Sequence, residues 1–416
     1  MIKELCLAIN LAGLSLYAGV SGAYVNQISG ESDILTQNRL VEIQVTRGMA
    51  DGIWNKLTSE FVTLFESGQY AQAAATAKAA YSLAEKSFGP EDVNTADSML
   101  KLGIMSETLG DYAEAREHLL GALVILENAL GGDHEDIAVV LTNLANVYYE
   151  QNMLEESEKY HLRALGIRVR ALGEDDVAVA QSQYNLAVLY DDAGDYAKAK
   201  QLYESAINIW NASFGPVHPY IANALNNLAN VHIATNEPDI AIELHTHSLA
   251  VRRALYGNQH AEVARSLINL GALYVKNNTY EKAKPLYIEA VGLAENIFGN
   301  NHPQVAMLLY SLANIYHIQG RMQESHAQQY QGEDIKVSLI EKAQRSNTSE
   351  TDHAAADQYF EKALPLYERA LRILDTELGS GHPAISAMLN EMAMLYKSMG
   401  NNRKADQMLA RLSHTE

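Results

Sequence analysis

The chain has 416 residues, of which 48% are hydrophobic and 20% charged, a composition typical of a soluble globular protein with enough apolar material for a core. Its formal net charge of −20 disfavours nucleic acid as a partner, because an acidic surface repels phosphates. The single cysteine, Cys6, excludes a disulfide scaffold, a CxxC redox pair and a thiolate zinc site within one chain.

The N-terminal residues have the pattern of a signal peptide. Lys3 precedes an apolar stretch from Leu5 to Val20, and Ser21-Gly22-Ala23 then supplies the small side chains that a signal peptidase requires. We therefore predict a signal peptide over residues 1–23, a tether over residues 24–51 and export from a bacterial-type cell to the periplasm or beyond. The alternatives are an uncleaved membrane anchor and an apolar helix packed on the first repeat; a cytoplasmic location is less favoured.

Glycine recurs at an interval of 42 residues along most of the chain. The series is Gly89, Gly131, Gly173, Gly215, Gly257 and Gly299, and Gly379 continues it once a 38-residue insertion is removed. Glycine ends helices in a left-handed conformation at lower cost than any other residue. The series therefore predicts a helix end in every repeat.

We predict a helix start after six of these seven glycines. Three residues further on stands His134, Asp176, His218, His260, His302 or His382, and in three copies proline comes next, as Pro219, Pro303 and Pro383. Proline suits the first helical turn because its missing N–H would be unpaired there. The chain has fourteen histidines, which raises the question of a metal site. The loop histidines lie one repeat apart, too far from one another to bind one ion. We therefore expect no metal or other cofactor.

The helix after this loop carries a second repeated string. It reads Leu141-Thr-Asn-Leu-Ala-Asn-Val-Tyr148 in one copy and Leu225-Asn-Asn-Leu-Ala-Asn-Val-His232 in another, with further copies beginning at residues 183, 267, 309 and 389. Apolar residues at positions i, i+3, i+4 and i+7 predict one buried helix face. The small residue in the middle, such as Ala187, lets the neighbouring helix approach closely.

A turn such as Gly110-Asp-Tyr-Ala-Glu-Ala115 then opens a second helix, so each repeat is a helix pair. These strings resemble the tetratricopeptide repeat in its 42-residue form, found in kinesin light chains and many bacterial proteins. The resemblance implies an all-α fold: a right-handed α-solenoid of about eight antiparallel helix pairs over residues 52–413. We expect the insertion, at about residues 321–358, to be a mobile surface loop that includes a short helix from Asp334 to Gln344.

Helical geometry places a second row of residues opposite the buried face of the first helix. In the family this row lines the groove that binds peptides, so the resemblance implies a peptide-binding surface here. The matching residues are Asn143, Asn146, Asn185, Asn227, Asn230, Asn269 and Asn314, together with Arg265 and Lys276. An asparagine amide both donates and accepts, so it can hold the backbone of an extended peptide. The alternatives are asparagines that satisfy neighbouring helices and a merely solvated face.

No Walker loop, GxGxxG, HExxH or GxSxG motif occurs in the sequence. We therefore predict a non-catalytic scaffold that binds a protein or peptide in its groove. The alternative is a substrate-recognition or regulatory subunit of an enzyme or signalling complex encoded elsewhere. A membrane partner is expected only if the N-terminal segment is uncleaved.

Overall fold

The computed structural model describes the backbone of residues 47–331 and 339–413, and the side chains of residues 49–327 and 351–413. The predicted signal peptide and most of the predicted tether lie outside the described residues. The described chain forms sixteen helices and no strand, which confirms the all-α solenoid class. It divides into two compact units, unit 1 up to Thr235 and unit 2 from Asn236.

Unit 1 contains nine helices, each in contact with the next one along the chain. Their bounds are α1 Arg47–Glu66, α2 Tyr70–Ser87, α3 Val93–Thr108, α4 Tyr112–Leu130, α5 Glu135–Glu150, α6 Leu154–Leu172, α7 Val177–Asp192, α8 Tyr196–Phe214 and α9 Pro219–Ala234. The helix α1 begins at Arg47, inside the range predicted as a tether. The core between helices α3 and α6 is aliphatic and includes Leu119, Leu141 and Ile167.

Unit 2 contains seven helices, and here too each contacts its successor. Their bounds are α10 Pro238–Tyr256, α11 Ala261–Lys276, α12 Tyr280–Phe298, α13 Pro303–Gln331, α14 Leu339–Leu378, α15 Pro383–Ser398 and α16 Asn402–Leu412. The core of this unit is built from leucine, alanine and tyrosine side chains, among them Leu267, Tyr287 and Tyr367.

Loop histidines start the helices, as the sequence predicts. The imidazole Nδ1 atom of His260 accepts a hydrogen bond from the backbone N–H of Glu262 at 3.1 Å, and His382 accepts one from Ala384 at 3.2 Å. The same contact caps the helices after His134, His218 and His302. Each imidazole thus satisfies one of the free N–H groups of a helix N-terminus.

The glycines that end helices differ from the expectation in one detail. Their φ angles are positive, as expected, but Gly257 has φ 72° and ψ −179°, and Gly299 has φ 89° and ψ 160°. These values lie outside the left-handed helical well, in a region that essentially only glycine enters. The chain therefore leaves the helix in an extended direction, and a side chain at this position would be strained.

The small residue of the first helix in each pair is set by close packing, as predicted. Ala187 is fully buried, and a Cβ atom added to Gly271 would lie 2.9 Å from the ring of Tyr287 on the partner helix α12. A larger side chain at this position must therefore push the two helices apart.

The insertion is helical where the structure describes it, so the expectation of a surface loop is wrong there; of the short helix expected from Asp334 to Gln344, residues 339–344 are helical and the rest lies outside the described residues. Asn278 turns the chain with φ 56°, whereas Gly320, 42 residues later, lies inside helix α13. Helix α13 continues to Gln331, and helix α14 already begins at Leu339. The ring of Phe360 packs so closely on Gly320 that no Cβ fits there. The insertion therefore lengthens both helices of one pair.

Candidate functional site

The predicted binding row of unit 1 lies on helices α5, α7 and α9, and we call it the asparagine face. It comprises Val139, Asn143, Asn146, Glu150, Gln181, Asn185, Val188, Asp192, Asn223, Asn227, Asn230 and Ala234. Asn143, Asn146, Asn185 and Asn227 are half-buried, and Asn230 is exposed. The residues between them, such as Leu144 and Ala145, are fully buried. The helical register is therefore the one that the sequence indicated.

Some of the amide groups on this face are already used within the protein. The Nδ2 atom of Asn143 donates to the carbonyl oxygen of Val139 at 2.9 Å, and the Oδ1 atom of Asn185 accepts from Gln181 at 2.9 Å. Since an amide has two donor hydrogens and two acceptor lone pairs, each of these groups keeps further hydrogen-bonding capacity. The face is therefore held in place by its neighbours and can still offer donors and acceptors to a ligand.

The third asparagine joins two repeats. The Nδ2 atom of Asn227, on helix α9, donates to the hydroxyl oxygen of Tyr184, on helix α7, at 3.0 Å. Tyr184 was not among the predicted site residues, because the sequence places it beside the row and not in it. Its contact shows that Asn227 has a structural role in addition to any role in binding.

The C-terminal ends of helices α3, α5 and α7 carry crowded carboxyl groups. Burial, together with the nearby charge of Glu150, raises the pKa of Glu107 to about 7. Burial and Asp192 likewise raise the pKa of Asp191 to about 6. The hydroxyl of Tyr149 donates to Asp192, which links helices α5 and α7. This end of unit 1 is therefore electronegative and favours a positively charged neighbour.

In unit 2 the predicted row begins on helix α11 with Arg265, Asn269 and Lys276. Asn269 is half-buried, while Arg265 and Lys276 are exposed. Arg265 forms an ion pair with Glu262, so part of its charge is already neutralised. Lys276 lies at the C-terminal end of helix α11, where a cation is favoured by the helix dipole.

Asn314 does not belong to an exposed row. It is only 6% exposed and its Oδ1 atom accepts a hydrogen bond from the hydroxyl of Tyr367 on helix α14. The neighbouring Met307 and Ile318 pack against the core of unit 2. We therefore leave Asn314 out of the candidate site.

Two buried polar clusters were not anticipated from the sequence. His161 and Arg168 are buried in unit 1, where Arg168 donates to the hydroxyl of Ser182 at 2.6 Å. His245, Arg252 and Ser266 repeat this arrangement in unit 2, 84 residues later. Tyr203 and Trp210 occupy the corresponding buried positions in the repeat between them. This spacing of two repeats was visible in the sequence and identifies both clusters as parts of the core.

The part of the chain that the structure describes holds no group of three or more histidine, cysteine, aspartate or glutamate residues placed to bind a metal ion. Over residues 47–331 and 339–413, no helix has the length and apolar character needed to cross a membrane.

Comparison with known proteins assigns the repeats. The sequence profile of the tetratricopeptide repeat family matches six overlapping segments, which together extend from residue 62 to residue 336. Curated proteins gave no match. The apo form of the quorum sensor NprR from B. thuringiensis superposes with a TM-score of 0.53 at 14% identity, covering 100% of this chain and 99% of that one.

Two shorter structures are similar over about half of the chain. BtubC (BKLC) from P. vanneervenii is 22% identical with a TM-score of 0.49, covering 56% of this chain and 92% of that one. TPR-like repeats assigned to a kinesin light chain of Podosopora anserina are 21% identical with a TM-score of 0.46, covering 50% and 99%. With the family profile matching more than half of its length, the chain belongs to the tetratricopeptide repeat family, whose repeats generally mediate interactions between proteins.

Proposed function

We propose that this chain is a non-catalytic scaffold that holds an extended segment of a partner protein against the asparagine face of unit 1. The observation that carries the proposal is the recurrence of Asn143, Asn185 and Asn227 at one position of three successive first helices, all half-buried. Asn269 continues this position in unit 2, beside Arg265 and Lys276.

The spacing of the helices suits an extended ligand. Packed helices lie about 8–10 Å apart. An extended chain advances by about 3.3 Å per residue, so a segment lying across the helices would meet a new asparagine about every three residues. Amides that contact the backbone of such a segment would give affinity without demanding a particular side chain at every position.

The charges suggest which side chains a partner would carry. Glu150 and Asp192 lie at one end of the asparagine face, so a basic residue of the partner would be favoured there. Arg265 and Lys276 would instead favour an acidic side chain or a terminal carboxylate at unit 2. The repulsion of phosphates by the net charge of −20 argues against nucleic acid.

Affinity purification tests the binding face. The tagged protein and its Asn185→Ala/Asn227→Ala/Asn269→Ala variant would be recovered from the native cell envelope fraction, with the retained proteins identified by mass spectrometry. A matched control is Asn211→Ala/Asn296→Ala, since both of these asparagines are exposed and lie outside the proposed face. A partner that is lost only from the triple variant supports the proposal. Equal retention by all three proteins would contradict it.

We also propose that residues 1–23 direct export to the periplasm or the medium. Mass spectrometry of the N-terminus of the mature protein tests this proposal. A mature chain that starts at Tyr24 supports cleavage, whereas an intact N-terminus in the membrane fraction would indicate an anchor and contradict it.

A further inference from the structure

One position of the repeated core is apolar in the other repeats but polar in helix α7. The residue that opens the repeated string is Met99, Leu141, Leu225, Leu267, Leu309 or Leu389 in the other copies, but it is Gln183 here. Burying an amide at a leucine position costs free energy unless the amide finds hydrogen-bond partners.

The carboxamide oxygen of Gln183 lacks such a hydrogen-bond partner in the described part of the chain. Its Oε1 atom is shielded from solvent and accepts no hydrogen bond from any described residue. Most buried side-chain oxygens in folded proteins do have a partner, so this atom needs an explanation. The amide is at the end of a soft torsion, so a small rotation turns the oxygen towards the space beside it.

That space is a surface cavity of about 340 Å³ on helices α6, α7 and α8. Leu165, Val169, Val179 and Ile209 form apolar walls, and Gln183 lines it between them. The cavity has far more room than a single water molecule needs. It therefore suits a side chain with an apolar stem and a polar head.

The negative charge around the cavity favours a positively charged head group on the bound side chain. Glu174 and Asp175 line the cavity and are exposed, and Ser205 and Asn208 add further polar atoms. The nine described residues that line it include no lysine, arginine or histidine. A guanidinium group has five N–H donors in a planar arrangement, so it can bond to an amide oxygen and to carboxylates at once.

Unit 2 has a cavity at the equivalent repeat position, but its lining residues differ in charge from those of the unit 1 cavity. It measures about 240 Å³, and Asn301, Arg369 and Arg372 stand where the cavity of unit 1 has Asp175, Ser205 and Asn208. Leu309, which replaces Gln183 there, is buried. This cavity therefore has two arginines, and a leucine in place of Gln183; Arg369 is paired with Glu295, and the remaining charge of Arg372 disfavours a further cation.

From these observations we propose that the cavity on helices α6, α7 and α8 binds one arginine side chain of a partner protein, at a surface separate from the asparagine face. The stem packs between Val169, Val179 and Ile209. The guanidinium donates to the Oε1 atom of Gln183 and to the carboxylates of Glu174 and Asp175.

Methyl NMR on the full chain tests this proposal, with N-acetyl-arginine methylamide as the probe. We expect saturable shifts of the Val169, Val179 and Ile209 methyl signals at millimolar probe, while the methyl signals of Ile373 in unit 2 stay unchanged. The neutral citrulline analogue should bind at least several-fold more weakly. Equal binding of the citrulline or lysine analogue would overturn the assignment to a guanidinium, and unshifted Val169 and Val179 signals would overturn the site.

Two variants locate the contacts. Gln183→Leu restores the residue of the other repeats, so the protein should fold and bind the probe about tenfold more weakly, the loss expected for one hydrogen bond to a charged group. Glu174→Gln/Asp175→Asn should also weaken binding several-fold. Full affinity in Gln183→Leu would overturn the role of the amide. The Asn185→Ala/Asn227→Ala/Asn269→Ala variant should bind the probe normally, which separates this site from the proposed groove.

Discussion

The Nδ2 atom of Asn227 donates a hydrogen bond to the hydroxyl of Tyr184 at 3.0 Å, so a residue of the proposed binding face also ties helix α9 to helix α7. This double role means that the loss of Asn227 alone cannot distinguish a weakened fold from a lost ligand contact. Removing the other partner of the same hydrogen bond separates the two effects.

Tyr184→Phe and Asn227→Ala should both lower the free energy of unfolding by about 1 kcal/mol, because each removes this hydrogen bond. Only Asn227→Ala should also weaken partner binding, since Tyr184→Phe leaves the amide in place. Urea titration followed by circular dichroism measures the first effect and pull-down measures the second. Equal binding by the two variants would remove Asn227 from the binding face.

Gly271→Ala should destabilise unit 2, because its new Cβ atom would lie 2.9 Å from the ring of Tyr287. We expect a loss of about 1–3 kcal/mol, the usual range for overpacking a core. Gly292→Ala is the control, since this glycine lies in helix α12 and has nothing within 4 Å of an added Cβ. That variant should gain about 0.4–1 kcal/mol through lower entropy of the unfolded chain. Similar melting temperatures of the two variants would show that the contact with Tyr287 does not destabilise unit 2.

Ala187→Leu should damage unit 1 by the same mechanism, because Ala187 is fully buried at the equivalent position of helix α7. We expect a lower melting temperature and a shallower unfolding transition in calorimetry. An unchanged melt would mean that helices α7 and α8 can separate at low cost.

Acid should destabilise the fold through two buried histidines. Burial, reinforced by Arg168, lowers the pKa of His161 to about 4, and burial together with Arg252 does the same for His245. Because the folded-state pKa values lie below the unfolded value of 6.5, stability is fully present above pH 6.5 and is lost as the pH falls towards 4. Each histidine accounts for up to about 3 kcal/mol of this loss.

His161→Leu should flatten this pH dependence, because it removes a titrating imidazole. Leucine should fit the position, since Leu119 occupies it one repeat earlier. The measurement is the free energy of unfolding between pH 7 and pH 4 for the wild type, His161→Leu and His245→Leu. The same slope in all three proteins would show that other groups control acid unfolding.

Replacing Glu262 should lower the free energy of unfolding more than replacing Arg265, its exposed partner. Arg252 is 1% exposed, and its Nε atom lies 3.2 Å from the Glu262 carboxylate, whereas Arg265 reaches the same carboxylate from the surface. Glu262→Gln leaves the buried guanidinium without that charge and should cost about 3 kcal/mol. Arg265→Gln should cost less than about 1 kcal/mol, as is usual for exposed ion pairs. Comparable losses in urea titrations would contradict the assignment of Arg252 as the critical partner.

Local chemistry made much of this protein readable from its sequence. The helix starts at His260 and His382 were predicted from spacing alone, because the caps that fix them join atoms only two residues apart. The small residue at Gly271 was also readable, because it recurs in register with the 42-residue period. The family assignment follows from the same repeated signals.

Features that depend on distant contacts were decided only by the tertiary structure. Asn314 belongs to the predicted row by its position in helix α13, but Tyr367, 53 residues later, covers it and uses its amide. Helix α13 continues through Gly320, where Phe360 of helix α14 packs against it, although earlier repeats turn at this position. The sequence likewise shows that Gln183 replaces a leucine, but only the packing of helices α6, α7 and α8 leaves a cavity beside it. Helix periods and caps are local and repeat with the sequence, whereas burial depends on which side chains the remote parts of the chain bring into contact.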